Sequence, residues 1–343
     1  MASAWKAGFV RRVCVVFMVV VGAPAVHAES GRWSLLEDND GMISHEDQHY
    51  TQGLQLSYLT PALQGGGWSS ASFDALGSFL PMYRLAPGSQ RRIELLATQT
   101  MYTPVDLHRN PPDPYDRPYA GWLYGGIDWL QENHQHSLHD LEFQAGIVGP
   151  AALAKQVQNG FHGLIGLRNA DGWSEQLKNR GAFQLSYEFK RKLKLSLSDG
   201  YALDAVPELG FDVGSVLRYV ETGGLLRFGN ALDADYGPSH IRPALSGSDF
   251  FDGSRLGGSF LHWYVFAGVQ LRRVLYNRLI DGASEVSPVD LEHRPWVTDA
   301  LLGASFVLSP RVRAEFTATR RSREFYGQQG DDIYGSGLLS VSF

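Results

Sequence analysis

The sequence predicts an all-β fold, a transmembrane antiparallel β-barrel of about twelve strands, on three observations. The chain begins with a segment typical of export, and it ends on an amphipathic strand whose last residue is Phe343. Between these ends, many segments of about ten residues alternate between apolar and polar side chains, as strands between lipid and a polar interior do. A soluble sandwich would alternate similarly, so the prediction rests on the two ends and the alternation together.

Residues 1–28 have the composition of a secretory signal peptide. Three basic residues precede a short apolar run from Val13 to Val21, and the segment ends with small residues up to Ala28. The run is shorter than the roughly 20 residues that a membrane-spanning helix needs. Removal after Ala28 leaves residues 29–343 as one barrel domain, without the single cysteine, Cys14. We therefore expect no disulfide, thiolate catalysis or cysteine-ligated metal in the mature chain.

The mature chain is acidic. The whole sequence has 30 Lys and Arg residues against 36 Asp and Glu residues, and the signal segment holds three of the basic ones, which leaves a net charge of −9. This charge argues against nucleic acid as a partner, because phosphate binding requires a basic surface. Hydropathy alone suggests a soluble secreted protein, but the final strand, with Leu339, Val341 and Phe343 on one face, favours an outer-membrane barrel.

Twelve segments have the alternation of barrel strands, an even number as in bacterial single-chain barrels. They lie near residues 33–38, 51–60, 92–98, 122–129, 141–147, 183–189, 208–213, 217–228, 263–272, 297–308, 313–319 and 337–343. An even count puts both chain ends on the periplasmic side, so the loop with Asn39 and Asp40 and those near 100–118 and 149–180 are extracellular. The stretches near 61–90 and 229–260 are then periplasmic, where turns are usually short. A missed hairpin there would change the count.

The stretch from Glu37 to Tyr58 joins an acidic loop to a strand with two different faces. Five acids occur in its first eleven residues, and Leu54, Leu56 and Tyr58 then share one face of the strand. Such a loop can hold a metal ion at the rim of a sheet, or it can be a solvated acidic turn.

The segment at residues 149–180 contains a candidate helix around residues 151–167. Gln158 and His162 are four residues apart and therefore share one helix face, while Val157 and Phe161 belong to an apolar side. A helix on the barrel rim, with its apolar side toward lipid and the Gln/His face inward, would be a platform for catalysis. The alternative is a surface helix with a solvated histidine.

The proline-rich segment at residues 100–121 supplies two cations on the same side of the predicted barrel. Arg117 follows Asp116 at the top of a strand, and Arg109 lies in the preceding loop. An arginine here can bind a phosphate or carboxylate of a ligand, or it can be an internal clamp. The sequence has no serine nucleophile elbow, H-E-x-x-H zinc motif, P-loop or Rossmann fingerprint, which removes several common enzyme classes.

Together these segments resemble the lipid A deacylase family of outer-membrane proteins. The resemblance is carried by E-D-N-D at 37–40, Y-T-Q-G at 50–53, D-R-P-Y-A-G at 116–121, G-I-V-G-P at 146–150 and V-Q-N-G-F-H-G-L-I-G at 157–166, with weaker support from W-S-E-Q-L-K-N at 173–179 and E-F-Y-G-Q at 324–328. It implies a twelve-stranded barrel of the bacterial outer membrane that removes the 3′-O-linked acyloxyacyl chain of lipopolysaccharide.

The resemblance implies an esterase whose catalytic residues are His162, Asn39, Gln158 and Thr51. His162 matches the general base of the family, and Gln158 is its neighbour one helical turn earlier. A neutral histidine, with an ordinary pKa of about 6.5, can take a proton from water. The water would attack the ester carbonyl directly, without an acyl-enzyme.

The resemblance also implies Ca²⁺ as the cofactor. Asp40 is the expected ligand, Thr51 lies beside the metal, and Asp47 is a possible second acidic ligand. Oxygen donors suit this ion, and the cation together with Asn39 would stabilise the developing oxyanion.

Lipid A of the outer leaflet is the implied substrate, with a membrane-embedded monomer as the expected form and Arg117 and Arg109 as substrate-binding residues. Arg168 stands where some family members have an acid near the metal, and the loop near 103–113 has only His108 and Arg109 where others place a lysine. The alternatives are a non-catalytic porin or structural barrel, or an outer-membrane phospholipase, which no serine motif supports. The sequence does not specify which acyl chain is removed.

Overall fold

The computed structural model describes residues 31–44, 47–134, 136–243, 249–256, 261–309 and 311–343. The predicted signal peptide, residues 1–28, lies outside these ranges and stays a prediction. Within them, no helix combines the length and the apolarity needed to cross a membrane. The same ranges contain thirteen strands, and all of them belong to one antiparallel sheet that closes on itself.

Twelve strands form the wall of the barrel, and a short extra strand, β7, pairs with one of them at the periplasmic end. The strands are β1 Arg32–Asn39, β2 His49–Leu59, β3 Gln90–Thr103, β4 Ala120–Asn133, β5 Ser137–Val148, β6 Arg180–Arg191, β7 Leu193–Ser196, β8 Ala202–Gly214, β9 Leu217–Gly229, β10 His262–Asn277, β11 Trp296–Ser309, β12 Val312–Arg321 and β13 Asp332–Ser342. The helices are α1 Gly67–Phe79, α2 Ala154–Ile165 and α3 Arg278–Asp281. Closure comes from pairing of β6 with β8 and of β1 with β13.

The predicted twelve-stranded barrel is confirmed. On β2, Leu54 and Leu56 are exposed on the outer face, whereas Gln55 and Ser57 are buried in the interior. This is the apolar-out, polar-in arrangement of a barrel in lipid. Several strands are longer than the alternation indicated, because polar residues such as Gln99 also occupy the outer face of the extracellular ends.

The connection between β9 and β10 corrects one expectation. Its described part does not stay at the periplasmic end but folds back into the barrel interior. The Tyr236 hydroxyl donates to Glu132 Oε1 at 2.8 Å, and the Arg242 guanidinium donates to Asp140 at 2.7 Å and to Glu142 at 2.8 Å. These three acids face inward from β4 and β5. Buried ion pairs therefore hold the described part of this connection, residues 230–243 and 249–256 (the lumen segment), inside the barrel.

The connection between β2 and β3 contains α1, which the sequence did not predict. Its glycines and serines are poor helix formers, but Phe73 packs against Ile93 and Leu141 on the outer wall of the barrel. Packing on the wall therefore stabilises a helix that its composition disfavours. In its described residues, neither long connection adds a hairpin to the barrel.

The predicted extracellular helix is confirmed as α2, preceded by a 3₁₀ turn at Pro150–Ala152. It starts against the outer face of the wall. A Cβ added to Gly121 on β4 would lie 2.6 Å from Ala154 Cβ, so only glycine allows this approach. The Gln99 side chain on the outer face of β3 donates to the Ala152 carbonyl at 2.5 Å. α2 therefore lies outside the barrel wall at its extracellular rim.

Candidate active site

The buried face of α2 carries both residues that the helical spacing had singled out. Ala154, Gln158 and His162 are buried on this face, whereas Val157 and Phe161 are exposed on the other. His162 Nε2 lies 2.9 Å from Asp47 Oδ2, and Gln158 Nε2 donates to the two carboxylate oxygens of Asp47 at 3.0 and 3.1 Å. The helix thus meets the acidic loop before β2, which is far from it in the sequence.

The other ring nitrogen of His162 fixes the tautomer. Nδ1 lies 2.8 Å from the carbonyl oxygen of Arg168, and since a carbonyl only accepts, Nδ1 carries a proton. Gly166, with φ of 78°, ends the helix in the left-handed region. The chain can then turn back and bring the Arg168 carbonyl within hydrogen-bond distance of Nδ1. Nε2 is therefore the nitrogen that can exchange a proton.

A proton must lie between His162 Nε2 and Asp47, because an ionised carboxylate cannot donate. Burial raises the pKa of Asp47, and the positive charge of a protonated His162 and the hydrogen bond from Gln158 oppose this effect. The hydrogen bond therefore already contains a proton, and His162 Nε2 can take one from water only after this bond is broken.

Trp173 positions Gln158, a contact that the sequence reasoning missed. The indole Nε1 donates to Gln158 Oε1 at 2.7 Å, which leaves the amide nitrogen to donate to Asp47. The indole also packs on the Tyr119 ring, with 4.8 Å between the ring centroids. Trp173 belongs to the W-S-E-Q-L-K-N motif, so the motif gave a signal for its importance but not for its partner.

A β-bulge presents Thr51 at the site. The pairing of β2 with β3 shifts register between Tyr50 and Gln52, which leaves Thr51 as the extra residue. Bulges often redirect a side chain near an active site. The hydroxyls of Thr51 and Thr103 are 2.7 Å apart, and Thr103 also donates to the Asp47 carbonyl at 3.3 Å. Thr51 is thereby linked to the loop that bears Asp47.

Asp40 begins a short 3₁₀ turn after β1 and is buried. Its Oδ2 accepts a hydrogen bond from the backbone N–H of Gln48 at 2.6 Å. Burial raises the pKa of Asp40 to about 9, and the nearby negative charge of Asp47 also raises it. A buried carboxylate with a second, partly buried carboxylate close enough to raise its pKa is an arrangement that a divalent cation would stabilise.

The donor types at this place fit Ca²⁺, which prefers carboxylate, hydroxyl and carbonyl oxygens. Asp40, Asp47 and Thr51 supply such oxygens. Across the described ranges, however, no group of three or more histidine, cysteine or acidic side chains is arranged to hold a metal ion. Any calcium ion here would therefore need backbone carbonyls or water to complete its coordination.

Strand register places Asn39 on the same outer surface as α2. Asn39 pairs with Gln52, Gln52 with Met101, and Met101 with Gly121, the residue against which α2 begins. Asn39 is partly exposed in this row. The four predicted catalytic residues thus lie on one rim of the wall. His162 and Gln158 contact Asp47 directly, and Thr51 is linked to Asp47 through Thr103. Asn39 lies in the row of wall residues below α2.

The two predicted substrate-binding arginines have internal partners. Arg117 is fully buried, donates to Glu324 Oε2 at 3.1 Å and lies over the Tyr102 ring. This is the internal clamp that the sequence left open as an alternative. Arg109 is more exposed and pairs with Asp113 in its own loop.

The side chain of Arg168, at the position of an acid in some relatives, is largely exposed and donates to Asp171 at 2.6 Å. It is the backbone carbonyl of this residue that holds His162. The substitution of an acid by arginine at this position therefore leaves the contact that fixes the histidine tautomer intact.

His49 joins three extracellular segments and was also missed. Its Nδ1 is 2.6 Å from Asp332 Oδ1, its Nε2 is 3.5 Å from Asp116 Oδ1, and its ring meets the Phe325 ring edge-on. Gln328 donates to Asp332 at 3.1 Å in the same cluster. The cluster fixes the start of β2, two residues from both Asp47 and Thr51. No local sequence pattern indicates these partners.

Comparison with known proteins agrees with this architecture. The family model described as "Outer membrane protein LpxR" matches residues 12–343. The solved structure of LpxR from Salmonella typhimurium has a TM-score of 0.73 at 19% identity, covering 91% of this chain and 100% of that one. The β domain of the Bordetella autotransporter BrkA is more distant, with a TM-score of 0.43 at 11% identity, covering 92% and 99%. No curated protein sequence matches.

Proposed function

Because the chain belongs to the LpxR family of outer membrane proteins, we propose that it is a lipid A deacylase, which hydrolyses ester-linked acyl chains of lipopolysaccharide. The protein is a closed β-barrel of the outer membrane. The observation that carries the proposal is the Asp47, Gln158 and His162 cluster, which lies outside the barrel wall under α2. Lipid A of the outer leaflet adjoins this wall, so an ester can reach the cluster without entering the lumen.

His162 would act as the general base through Nε2. Since Nδ1 is bound to the Arg168 carbonyl, Nε2 must release Asp47 before it can accept a proton from water. The water would then attack the ester carbonyl, and the protonated histidine would return its proton to the leaving alcohol. The amide of Asn39 is a candidate donor to the oxyanion.

Calcium is proposed as the cofactor, held by Asp40, Asp47 and Thr51 together with backbone or water oxygens. When bound, the ion would neutralise the two carboxylates and polarise the ester carbonyl. The negative charge of Asp47 is close enough to Asp40 to raise its pKa, which supports this assignment.

Mass spectrometry of lipid A from cells that express the protein tests the proposal. We expect the wild type to remove an acyl chain, and His162→Ala to lose at least about 10²-fold in rate because general-base catalysis contributes that much. Lys155→Ala, on the exposed side of the same helix, is the matched control. Parallel arms with EDTA and added Ca²⁺ test the cofactor separately. Equal trimming by wild type and His162→Ala would contradict the catalytic assignment.

A porin is the second candidate, and the lumen argues against it. A porin needs a water-filled interior, whereas the described part of the lumen segment crosses this interior with Tyr236 and Arg242 bound to wall acids. An outer-membrane phospholipase is distinguished by offering phospholipid and lipid A in the same assay. Acyl loss from phospholipid alone would favour it. We also expect a monomer, which the size of the purified protein in detergent would test.

A further inference from the structure

α1 replaces lipid along part of the barrel wall. Pairing aligns Ile93, Trp129, Leu141, Tyr187 and Phe211 in one outward-facing row across β3, β4, β5, β6 and β8. Phe211, beyond the helix, is 40% exposed, whereas Leu141 is 7% exposed and Ile93 is 1% exposed. The difference arises because Phe73 and the turn after α1 pack on the first four members of the row.

Hydrogen bonds hold α1 firmly on this wall. Trp129 Nε1 donates to the Ser72 hydroxyl at 2.9 Å, and the Tyr83 hydroxyl donates to the Trp129 carbonyl at 3.1 Å. Arg91 on the outer face of β3 donates to Asp74 of the helix at 2.9 Å. A Cβ at Gly77 would lie 3.0 Å from the Tyr83 carbonyl oxygen, so the helix and the next turn are in close contact. The depth of α1 relative to the barrel is therefore fixed.

The opposite face of α1, together with the turn that follows, is apolar and has no protein against it among the described residues. Trp68 is 64% exposed, Phe79 83% and Leu85 68%. The whole connection, residues 60–89, has two charged residues, Asp74 and Arg84, and Asp74 is bound by Arg91. A helix that is apolar on both sides is normally buried on both sides, so this composition is unsuited to a solvated loop.

The position of this free face identifies its partner. Two residues further along β3, Leu95 is exposed on the lipid-facing wall, as is Phe143 on β5. The free face of α1 continues this apolar belt at the periplasmic end of the same strands. An exposed aromatic side chain such as Trp68 and an exposed basic residue such as Arg84, which adjoins Leu85 in the turn, are typical of the boundary between acyl chains and headgroups.

We propose that the face of α1 and its following turn formed by Trp68, Phe79 and Leu85 inserts into the periplasmic leaflet of the outer membrane. The helix is then a lipid-embedded clamp on the outside of the barrel. Its inner face binds the wall of β3–β6, and its outer face contacts phospholipid acyl chains near their headgroups. The proposal is independent of the catalytic assignment.

Site-directed fluorescence tests it in the mature chain. The single cysteine, Cys14, lies in the predicted signal segment, so the mature chain has no cysteine other than the one introduced. Phe79→Cys carries an environment-sensitive label, Leu95→Cys on the wall is the lipid-exposed control, and Asp199→Cys in an exposed periplasmic turn is the aqueous control. The protein is refolded in vesicles of phosphatidylcholine brominated on the acyl chains near the headgroup.

We expect the label at Phe79→Cys to have blue-shifted emission and to be quenched by bromine as strongly as the label at Leu95→Cys. Emission and quenching like those of Asp199→Cys would overturn the proposal. Disulfide-linked dimers of the unlabelled Phe79→Cys variant, together with an unquenched label in the labelled sample, would also overturn it, in favour of a second copy of the chain as the partner. Trp68→Cys provides the same test at a second position if Phe79→Cys does not reach the folded barrel.

Discussion

At the scale of single residues, Asp47 is the centre of the candidate site. It accepts from Gln158, contacts His162 and follows the turn that holds Asp40. The proposed general base His162, its neighbour Gln158 and the proposed calcium site thus all depend on one carboxylate. Changes at Asp47 should therefore affect catalysis and calcium dependence together.

Asp47→Asn keeps the size of this side chain but removes its charge. We expect a lower rate of deacylation and a higher calcium concentration for half-maximal rate, because one anionic ligand is lost. The measurement is the initial rate on lipopolysaccharide over a calcium titration. Asp199→Asn, in an exposed turn at the other end of the barrel, should match the wild type. An unchanged titration for Asp47→Asn would remove this residue from the metal site.

Trp173→Phe removes one hydrogen bond and keeps most of the packing on Tyr119. The hydrogen bond from Nε1 orients Gln158. Its removal should cost on the order of 1 kcal/mol of the free energy that holds Gln158 in place, and we expect the rate to fall several-fold. The prediction is checked by kcat and KM together with the unfolding midpoint. Trp33→Phe on the lipid-facing wall is the control. A drop in stability without a drop in kcat would make Trp173 a packing residue alone.

At the scale of elements, the extracellular connections are joined to one another rather than only to their own strands. Arg117, before β4, donates a hydrogen bond to Glu324, between β12 and β13. His49 contacts Asp332 and Asp116. These contacts hold the start of β2 in place. The position of the bulge at Thr51, and with it the candidate site, is therefore fixed by these contacts.

The Arg117–Glu324 pair predicts a pH-dependent contribution to stability. Burial alone would raise the pKa of Glu324, but the positive charges of Arg117 and Arg321 lower it below its usual 4.5. The pair therefore stabilises the fold at neutral pH, and this contribution is lost as pH falls through the lowered pKa. Thermal unfolding should show Glu324→Gln about 3–5 kcal/mol less stable than wild type at neutral pH. A difference that persists at the acid end would contradict this account.

At the scale of the whole molecule, the described part of the lumen segment forms several buried ion pairs with the barrel wall. Arg242 reaches Asp140, Glu142 and Glu188 on two strands, at 2.7, 2.8 and 3.2 Å. Arg313 joins Asp249 of the same segment to the wall at 3.0 Å. The barrel is therefore stabilised from within as well as by its strand pairing.

Arg242→Met should destabilise the barrel by about 3–5 kcal/mol, because three buried carboxylates lose their common cation. Chemical unfolding of the protein in detergent, followed by the heat-dependent shift in gel mobility, measures this. Arg320→Met breaks an exposed pair with Asp331 and should cost about 1 kcal/mol or less. Equal stability of the two variants would show that the lumen network is not needed for the fold.

The sequence by itself determined the barrel, its twelve wall strands, the extracellular helix and the candidate site residues. Alternation and helical spacing are local, so they can be read from neighbouring residues in the chain. The motifs added Asp40, Gln158 and His162 as members of one site. The roles of these residues, including calcium binding, stay predictions.

Only the tertiary structure decided on which side of the wall the site lies and what fills the lumen. His162 and Asp47 are 115 positions apart and meet because β2, β3 and β4 are neighbours in the sheet and α2 lies on their outer face. The polar lumen segment and the unpredicted α1 also depend on contacts between residues that are distant in the sequence. Each is stabilised by partners on strands that precede or follow it in the chain, and no local pattern encodes which strand faces which segment.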